Sequence, residues 1–480
     1  MNGATLADGM LTLQAAAVAT HGRATHGDRQ FTGVSTDTRS IAPGELFVAL
    51  KGENFDGHEY VRQALAQGAS AGMVESTWAE AQDDDLPLIA VNDTRRALGE
   101  LAANWRSRFV LPLVGITGSN GKTTVKEMCA AIFRQQTRRM RAAGGPAEPQ
   151  ESVLATAGNL NDIGLPLMLL RMRSRHVAAV IEMGMNHPGE IAYLTNIARP
   201  TVAVITNAQR AHLEGLGGLS AVARAKGEIF AGLSPDGIAV INADDPHAAL
   251  WRELNQSRTV LTFGLTHAAD VSATYTPQQF GSLLRLTTPQ GEPGHEVRLG
   301  LPGVHNVMNA LAAAAAAFAA GVPVDAIAAG LSAVGGVKGR LQRLEARNGA
   351  TLIDDSYNAN PDSVRAAIDV LAALQGKKIL VFGDMGEVGE QAGQLHDEIG
   401  GYAKSMGVDR MLALGDLAAA AVRNFDGGAA HFKSVGALLE ALVPLLDADT
   451  TVLVKGSRFM KMERVVEALS APQADAEVST

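Results

Sequence analysis

One cysteine, Cys129, stands among 480 residues. No intramolecular disulfide can form, and a reducing compartment is expected. Basic excess is missing as well. The 41 Lys and Arg residues face 50 Asp and Glu, a formal net charge of −9. Non-specific nucleic-acid binding needs a net basic face to neutralise phosphates, so that class is disfavoured. The first residues lack a basic region followed by an apolar stretch, so no signal peptide is expected. Alanine-rich runs such as 310–320 are apolar but short and small in side chain, a poor match to a bilayer. A cytoplasmic protein is therefore expected. No short-period internal repeat is present.

What is there suits a large globular chain. Hydrophobic residues make up 46% and charged residues 19%, and the length suggests about three domains. The most informative stretch is Gly-Ile-Thr-Gly-Ser-Asn-Gly-Lys-Thr-Thr at 115–124. It follows an apolar, strand-like segment (109–114) and precedes a helix-compatible one (125–134). Its glycines let the backbone turn and aim N–H groups inward, Lys122 adds a mobile cation, and the hydroxyl of Thr123 can ligate Mg²⁺. Backbone donors, a helix start, a cation and a metal are what a triphosphate needs. The strict pattern wants a glycine where Ile116 stands, so this is a variant P-loop. An acidic chain that binds a nucleotide has to concentrate positive charge locally, as this loop does.

Residues 1–108 read as one unit. Pro43-Gly44 marks a turn, 45–50 a strand and 60–67 a helix, with short strands at 71–74 and 88–91 and helical spacing over 95–105. From 109 to 335 strands and helices alternate, with strands at 113–117, 177–181, 201–205, 237–241 and 259–263. That alternation predicts a parallel α/β sheet. Glu182, Thr206-Asn207 and Asn242-Ala243-Asp244-Asp245 all lie just past a strand's carboxyl end, the edge along which open α/β sheets bind ligands. The polar segment 138–152 reads as a solvated insertion, and 271–301 as hairpin-rich before an alanine-rich helix at 307–320. Residues 336–480 follow a Gly335-Gly336 linker and repeat the alternation, with strands at 351–353, 378–382, 410–414 and 451–454. Asp354-Asp355, Gly383-Asp384, Gly415-Asp416 and Lys455-Gly456-Ser457 come after them, which predicts a second, smaller doubly wound domain.

Hard oxygen ligands suit Mg²⁺, so Thr123 with Glu182 is the expected metal pairing. His212 follows the 201–205 strand and shares that edge. Lys226, taken alone, reads as a solvated helix lysine, and His305, Asn306 and Asn309 as caps of the alanine-rich helix. Cys129 reads as a small core residue of the helix after the loop.

Taken together, the 115–124 run, Glu182, the His212 loop, Lys226, Gly-Val-His-Asn-Val-Met-Asn-Ala at 303–310 and Gly339-Arg340 resemble the Mur ligases, in their order along nearly the whole chain. These are the cytoplasmic ATP-dependent amide-bond ligases of bacterial peptidoglycan synthesis. Asp-Asp-Ser-Tyr-Asn-Ala-Asn-Pro-Asp-Ser at 354–363, Gly-Asp-Met-Gly-Glu at 383–387, Ala-Gly-Asn-Leu-Asn-Asp-Ile-Gly at 157–164 and Lys-Gly-Ser-Arg at 455–458 resemble the branch that adds D-alanyl-D-alanine.

The resemblance implies three α/β domains: a small UDP-binding domain (1–108), a central P-loop-type ATPase domain (109–335) and a Rossmann-like domain for the amine substrate (336–480). It implies transfer of the ATP γ-phosphoryl group to the carboxylate of a UDP-muramoyl tripeptide and attack by the dipeptide amine. By the same resemblance Gly118, Ser119, Asn120, Gly121, Lys122, Thr123 and Thr124 cradle the phosphates, and Thr123 and Glu182 hold one Mg²⁺. His212 and a carbamylated Lys226 hold a second. Asn306 and Asn309 contact adenine, while Arg340 and Asp354 reach the γ-phosphate and ribose. Lys122, Glu182, His212 and Lys226 form the implied catalytic set. Ser35, Asp37, Arg39, Asn54, Asp56, Gly57 and His58 are implied for the UDP substrate, and Asn159, Asn161, Asn358 and Asn360 for the peptide substrates. A monomer is expected. Two other readings remain open at this point: a sibling ligase, adding diaminopimelate or lysine or acting as a folylpolyglutamate synthase does, and a P-loop ATPase or GTPase that is not a ligase.

Overall fold

The computed structural model describes residues 9–82, 85–143, 152–211, 217–290, 294–346 and 348–470. The chain folds as two compact units. The first takes residues up to 116, 140–203 and 228–238; the second takes 117–139, 204–227 and everything from 239.

In the first unit a five-stranded sheet runs in the order Arg23–Ala24, Leu88–Val91, Ala71–Glu75, Leu46–Val48, Val34–Ser35. Its last four strands are parallel neighbours and the first is antiparallel. The central strands are buried on both faces, as their near-continuous apolar runs require. The turn expected at Pro43-Gly44 forms, with Gly44 at φ +86. The helix expected over 95–105 runs Thr94–Arg106 because Asp93 caps it, accepting from the N–H groups of Arg95 and Arg96. The same unit holds Ala178–Glu182, paired in parallel with Val153–Ala155 and with Leu113–Thr117, so that Glu182 lies opposite Ile116.

The second unit opens with the nucleotide loop and the helix Lys122–Ala142, longer than the expected 125–134. Residues 144–151, the middle of the expected insertion, lie outside the described residues. The hairpin-rich segment forms a three-stranded antiparallel sheet, Ser272–Gln278, Gly281–Thr287 and His295–Leu299.

The last domain is doubly wound, as the alternation predicted. Its order is Gln342–Glu345, Thr351–Asp355, Thr450–Lys455, Lys377–Gly383, Arg410–Leu414, Ala429–Phe432. All neighbours are parallel except the first pair. Strand alternation separates two cores. Leu380, Phe382 and Leu453 pack on one face with Val364, Leu371, Ile399 and Phe425. Ile379, Val381, Val452 and Val454 pack on the other with Leu438, Leu442 and Val465. The strands 342–345 and 429–432 are not among those expected; both lie at sheet edges and are half-exposed, without the buried apolar run of the inner strands.

Candidate active site

Strand Leu113–Thr117 ends in the loop, and its carboxyl end meets that of Val202–Ile205 where the Thr206 amide donates to Thr117 O at 3.0 Å. Two glycines make the loop possible. Gly118 has φ +143, and a Cβ there would collide with Thr206 Oγ1; Gly121 has φ +81, and a Cβ there would collide with Asn309 Oδ1. Lys122 folds back, its Nζ donating to Gly118 O (2.9 Å) and Ser119 O (3.2 Å). Its ammonium thus lies over the concavity into which a phosphate would fit.

The loop after Ile205 braces this one. Asn207 Oδ1 accepts from the Asn120 amide (2.9 Å), Thr206 Oγ1 donates to Asn120 O (2.6 Å), and Ser119 Oγ accepts from the Gln209 amide (2.9 Å). One strand further, Asn242 Nδ2 donates to Thr206 O (2.9 Å) and Asp245 Oδ2 accepts from the Ala208 amide (2.7 Å). Thr206, Asn207, Asn242 and Asp245, four of the polar residues expected along the sheet edge, therefore belong to one hydrogen-bonded network.

A cavity of about 190 Å³ adjoins the loop, lined among others by Gly121, Thr124, Phe263, Asn306, Asn309 and Arg340. The structure corrects the expectation that Asn306 and Asn309 cap a helix. The helix runs Val304–Ala319 with Gly303 at its cap position, and both asparagines lie inside it. Asn306 Nδ2 donates to Pro302 O (2.8 Å) and Asn309 Nδ2 to Asn306 Oδ1 (3.0 Å), an i,i+3 pair on one face. His305, beside the cavity, has its ring held below its usual pKa by burial, against an upward pull from Asp355.

Arg340 reaches the loop from the last domain. Its Nη2 donates to Thr123 Oγ1 at 3.5 Å, and the guanidinium stacks over Tyr357 at 4.4 Å. A turn at Gly339 (φ +71) aims it. Asp354, expected at the nucleotide, holds that turn. It is 2% exposed, its Oδ2 accepts from the Gly339 amide (3.2 Å), and its Oδ1 accepts from Ser356 N (3.0 Å) and Oγ (2.5 Å). Its neighbour Asp355 accepts from the Leu341 amide (3.2 Å) and is the one that lines the cavity.

A second cavity of about 410 Å³ opens between loop residues Ser119 to Thr123 and the last-domain residues Asn358, Ala359, Asn360, Gly386, Ser457 and Arg458. Asn358 and Asn360 both line it. Asn360 Nδ2 also donates to Asn120 Oδ1 at 2.7 Å.

Of the implied metal residues, Thr123 is at the loop, and Glu182 is buried at the end of its strand, its amide donating to Thr156 Oγ1 at 2.9 Å. Lys226 is not solvated, which corrects the sequence reading. It is 0% exposed within the helix Leu219–Gly227. His212 lies outside the described residues.

In the N-terminal domain Asp56 Oδ1 accepts from His58 N (2.9 Å) and bonds His58 Nδ1 (2.6 Å), and the Glu75 amide donates to His58 Nε2 (2.9 Å). An Nε2 that accepts must be bare, so the proton sits on Nδ1 and the ring is neutral. Gly57 is buried against Leu50, whereas Asn54 is exposed. Asp37 is pulled down to about 2, chiefly by the side chain of Arg39, and Ser35 Oγ accepts from its amide at 3.2 Å. Asn161 Oδ1 accepts from the amides of Ile163 and Gly164 at the start of helix Gly164–Leu170; Asn159 is exposed beside it.

Sequence reading missed Gln209, Arg210 and the partnership of Asp355 with Lys455. The identities of Gln209 and Arg210 carry no signal; only the end-of-strand positions of Asp355 and Lys455 pointed anywhere.

Profiles of known families match three segments: the Mur ligase family catalytic domain at 30–106, the Mur ligase middle domain at 116–317, and the Mur ligase glutamate ligase domain at 339–458. The UDP-N-acetylmuramoyl-tripeptide–D-alanyl-D-alanine ligase of Escherichia coli is 45% identical over 91% of this chain and 93% of its own. The enzyme of the same name from Bacillus subtilis is 36% identical over 91% and 93%. Among solved structures, MurF from Acinetobacter baumannii superposes with a TM-score of 0.86 at 37% identity, covering 96% of this chain and 98% of its own. MurF ligase from Thermotoga maritima in complex with ADP gives 0.78 at 27% identity, over 91% and 96%.

Proposed function

The chain belongs to the Mur ligase family, and from that premise we propose that it joins D-alanyl-D-alanine to UDP-N-acetylmuramoyl-tripeptide with consumption of ATP. The observation that carries this is the 45% identity to a ligase of that name along nearly both chains. The site's geometry supports it. A carboxylate and an amine do not condense in water, because the leaving group is hydroxide; transfer of the γ-phosphoryl group to the carboxylate gives an acyl phosphate with a good leaving group. The amine then adds, and phosphate departs from the tetrahedral intermediate. Two anions must meet in the first step, so cations are needed where they meet. Lys122 lies in the loop and Arg340 reaches its Thr123, and among the described residues the buried Nε of Arg340 has no hydrogen-bond partner, which leaves it ready for an added acceptor.

The residues fit the nucleotide and its metal. Gly118 and Gly121 let the loop turn at positive φ and pack close to Thr206 and Asn309, and Thr123 offers a hard oxygen. Bound Mg²⁺ neutralises the phosphate oxygens as charge shifts between them. Thr123, Glu182, His212 and Lys226, the last as a carbamate, are the candidate metal residues. A fully buried ammonium is costly to maintain, and a carbamate would exchange it for an anion able to face a cation.

In this reading residues 1–108 take the UDP moiety, with Ser35, Asp37, Arg39, Asn54, Asp56, Gly57 and His58 the candidate contacts. Residues 109–335 take ATP and 336–480 the dipeptide, beside Asn358 and Asn360. Asn159 and Asn161 remain candidates for the tripeptide. Asp354 acts through the turn that aims Arg340. Arg340 at the loop closes the site against water, which protects an acyl phosphate from hydrolysis. The enzyme works as a cytoplasmic monomer; among the described residues no helix is long and apolar enough to cross a membrane.

The test is phosphate release from MgATP with UDP-muramoyl tripeptide, with and without D-Ala-D-Ala. Release that needs both, with a UDP-pentapeptide identified by mass, supports the proposal. Release triggered by diaminopimelate or lysine instead transfers it to a sibling activity, and release indifferent to every acceptor overturns it.

A further inference from the structure

Asn120 sits in the nucleotide loop and Asn360 precedes a helix of the last domain, 240 residues later. Their side chains form a reciprocal pair: Asn360 Nδ2 donates to Asn120 Oδ1 at 2.7 Å, and Asn120 Nδ2 reaches Asn360 Oδ1 at 3.3 Å. The orientation of both amides follows from their other partners. Asn360 Oδ1 accepts from the Ser363 amide at 2.9 Å, as the capping residue of Pro361–Ala372, so its nitrogen must face Asn120. Asn120 Nδ2 also donates to Gln209 Oε1 at 2.6 Å, so its oxygen must face Asn360. Neither amide can flip without losing a bond on its own side of the cavity.

Each asparagine is anchored where a substrate binds. The backbone of Asn120 is held by Asn207 and Thr206, the residues that brace the loop under the phosphates. Asn360 closes the segment 356–360, whose other end is fixed by Asp354 and whose middle is held by Lys455, donating to Asn358 O at 3.0 Å. Asn120, Asn358, Ala359 and Asn360 share the wall of the 410 Å³ cavity.

We propose that Asn120 and Asn360 are a positioning pair through which the nucleotide loop sets the 356–360 segment for the amine acceptor, so that acceptor binding depends on an ordered nucleotide loop. The proposal rests on the ligase reading for its acceptor but not for the coupling itself. Asn120 acts on the dipeptide site only through Asn360.

The variants are Asn360→Ser, Asn120→Ala and their combination. Serine still caps the helix, but it is too short to reach Asn120. Two readouts are taken on the full chain. Hydrogen exchange of the 356–360 amides is measured with and without an ATP analogue whose β,γ-bridge cannot be hydrolysed. Steady-state KM values are measured for ATP and for D-Ala-D-Ala. The expected result is that the analogue slows exchange in the parent and not in Asn360→Ser, at similar analogue affinity. In Asn360→Ser the dipeptide KM should rise about fivefold to tenfold, the weight of one or two hydrogen bonds, with the KM for ATP nearly constant. The double variant should be no worse than Asn120→Ala alone, because both substitutions remove the Asn120–Asn360 pair and only Asn120→Ala also removes the bond to Gln209. Unchanged protection in Asn360→Ser overturns the proposal, as do additive effects or an equal rise in both KM values. A parent that shows no dipeptide-dependent turnover defeats the ligase reading, and hydrogen exchange alone then decides the coupling.

Discussion

Arg210 holds Asp362 by three hydrogen bonds: its backbone amide (2.8 Å) and Nε (2.9 Å) and Nη2 (2.7 Å) of its guanidinium all donate to that carboxylate. The same guanidinium faces Glu398 at 3.2 Å, which Arg365 also meets at 2.5 Å. The loop that braces the nucleotide site is thereby tied to two helices of the last domain, Pro361–Ala372 and Ala392–Ser405.

Breaking this tie should loosen closure without emptying the nucleotide site. Both groups are about a quarter exposed, at 27% and 24%, so solvent screening reduces the pair to about 1–2 kcal/mol. Arg210→Ala is expected to lower kcat/KM about tenfold to thirtyfold and to leave affinity for a nucleotide analogue nearly unchanged. Asp362→Asn should act alike, and the two together should be less than additive. Steady-state kinetics and isothermal titration check this; equal losses in analogue affinity count against it.

Lys455 and Asp355 form a buried ion pair between neighbouring parallel strands, in direct register, with Nζ to Oδ2 at 2.5 Å and the lysine 2% exposed. Burial pulls the Lys455 ammonium below its usual pKa, and the Asp355 carboxylate pulls it back up. Removing only the lysine leaves a buried carboxylate unpaired. Lys455→Met should therefore cost about 3–5 kcal/mol, and Lys455→Met with Asp355→Leu should recover much of it. Denaturant unfolding of the last domain, followed by hydrogen exchange, tests the order; a single variant as stable as the parent refutes it.

Asp244 gives an acid dependence of defined sign. Burial would raise its pKa, but the amides of Leu265, Thr266 and His267 and the Thr266 hydroxyl outweigh that and hold it at about 2. A carboxylate depressed in the folded state stabilises it fully above the unfolded value near 3.8 and loses that contribution as pH falls toward 2. Stability measured from pH 4 to pH 2 should fall more steeply in the parent than in Asp244→Asn. Identical slopes would show that the three amides contribute nothing.

Cys129 should be silent to thiol reagents in the native state. It is 0% exposed, and burial pushes its thiol well above the ordinary range, which suppresses the thiolate. Labelling should follow unfolding, and an ATP analogue should slow it by stabilising the native state. Rapid stoichiometric labelling of native protein would contradict this.

Much of this molecule is legible from sequence, and the reasons are local. Strands such as Leu113–Thr117 and Lys377–Gly383 are short apolar runs bounded by Gly and Asp, and the loop 118–124 carries its chemistry in its own spacing. Sequence reading fails where long-range packing overrides local character. Lys226 looks solvated by its local sequence, yet the fold buries it completely. Asn306 and Asn309 look like caps because a helix start is ambiguous by a turn when Gly303 precedes it. Asp354 is bound by Gly339 and Ser356, and no spacing rule could connect Gly339 to it.

The sequence by itself determined the α/β alternation, the nucleotide loop and the polar residues at strand ends, because each depends on periodicity or on neighbours within a few positions. Only the tertiary structure decided that Asn120 meets Asn360, that Arg210 meets Asp362 and that Arg340 stands over Thr123. Those partners lie 152 to 240 residues apart, and side chains so far apart are paired by how sheets and helices pack, which no local pattern encodes.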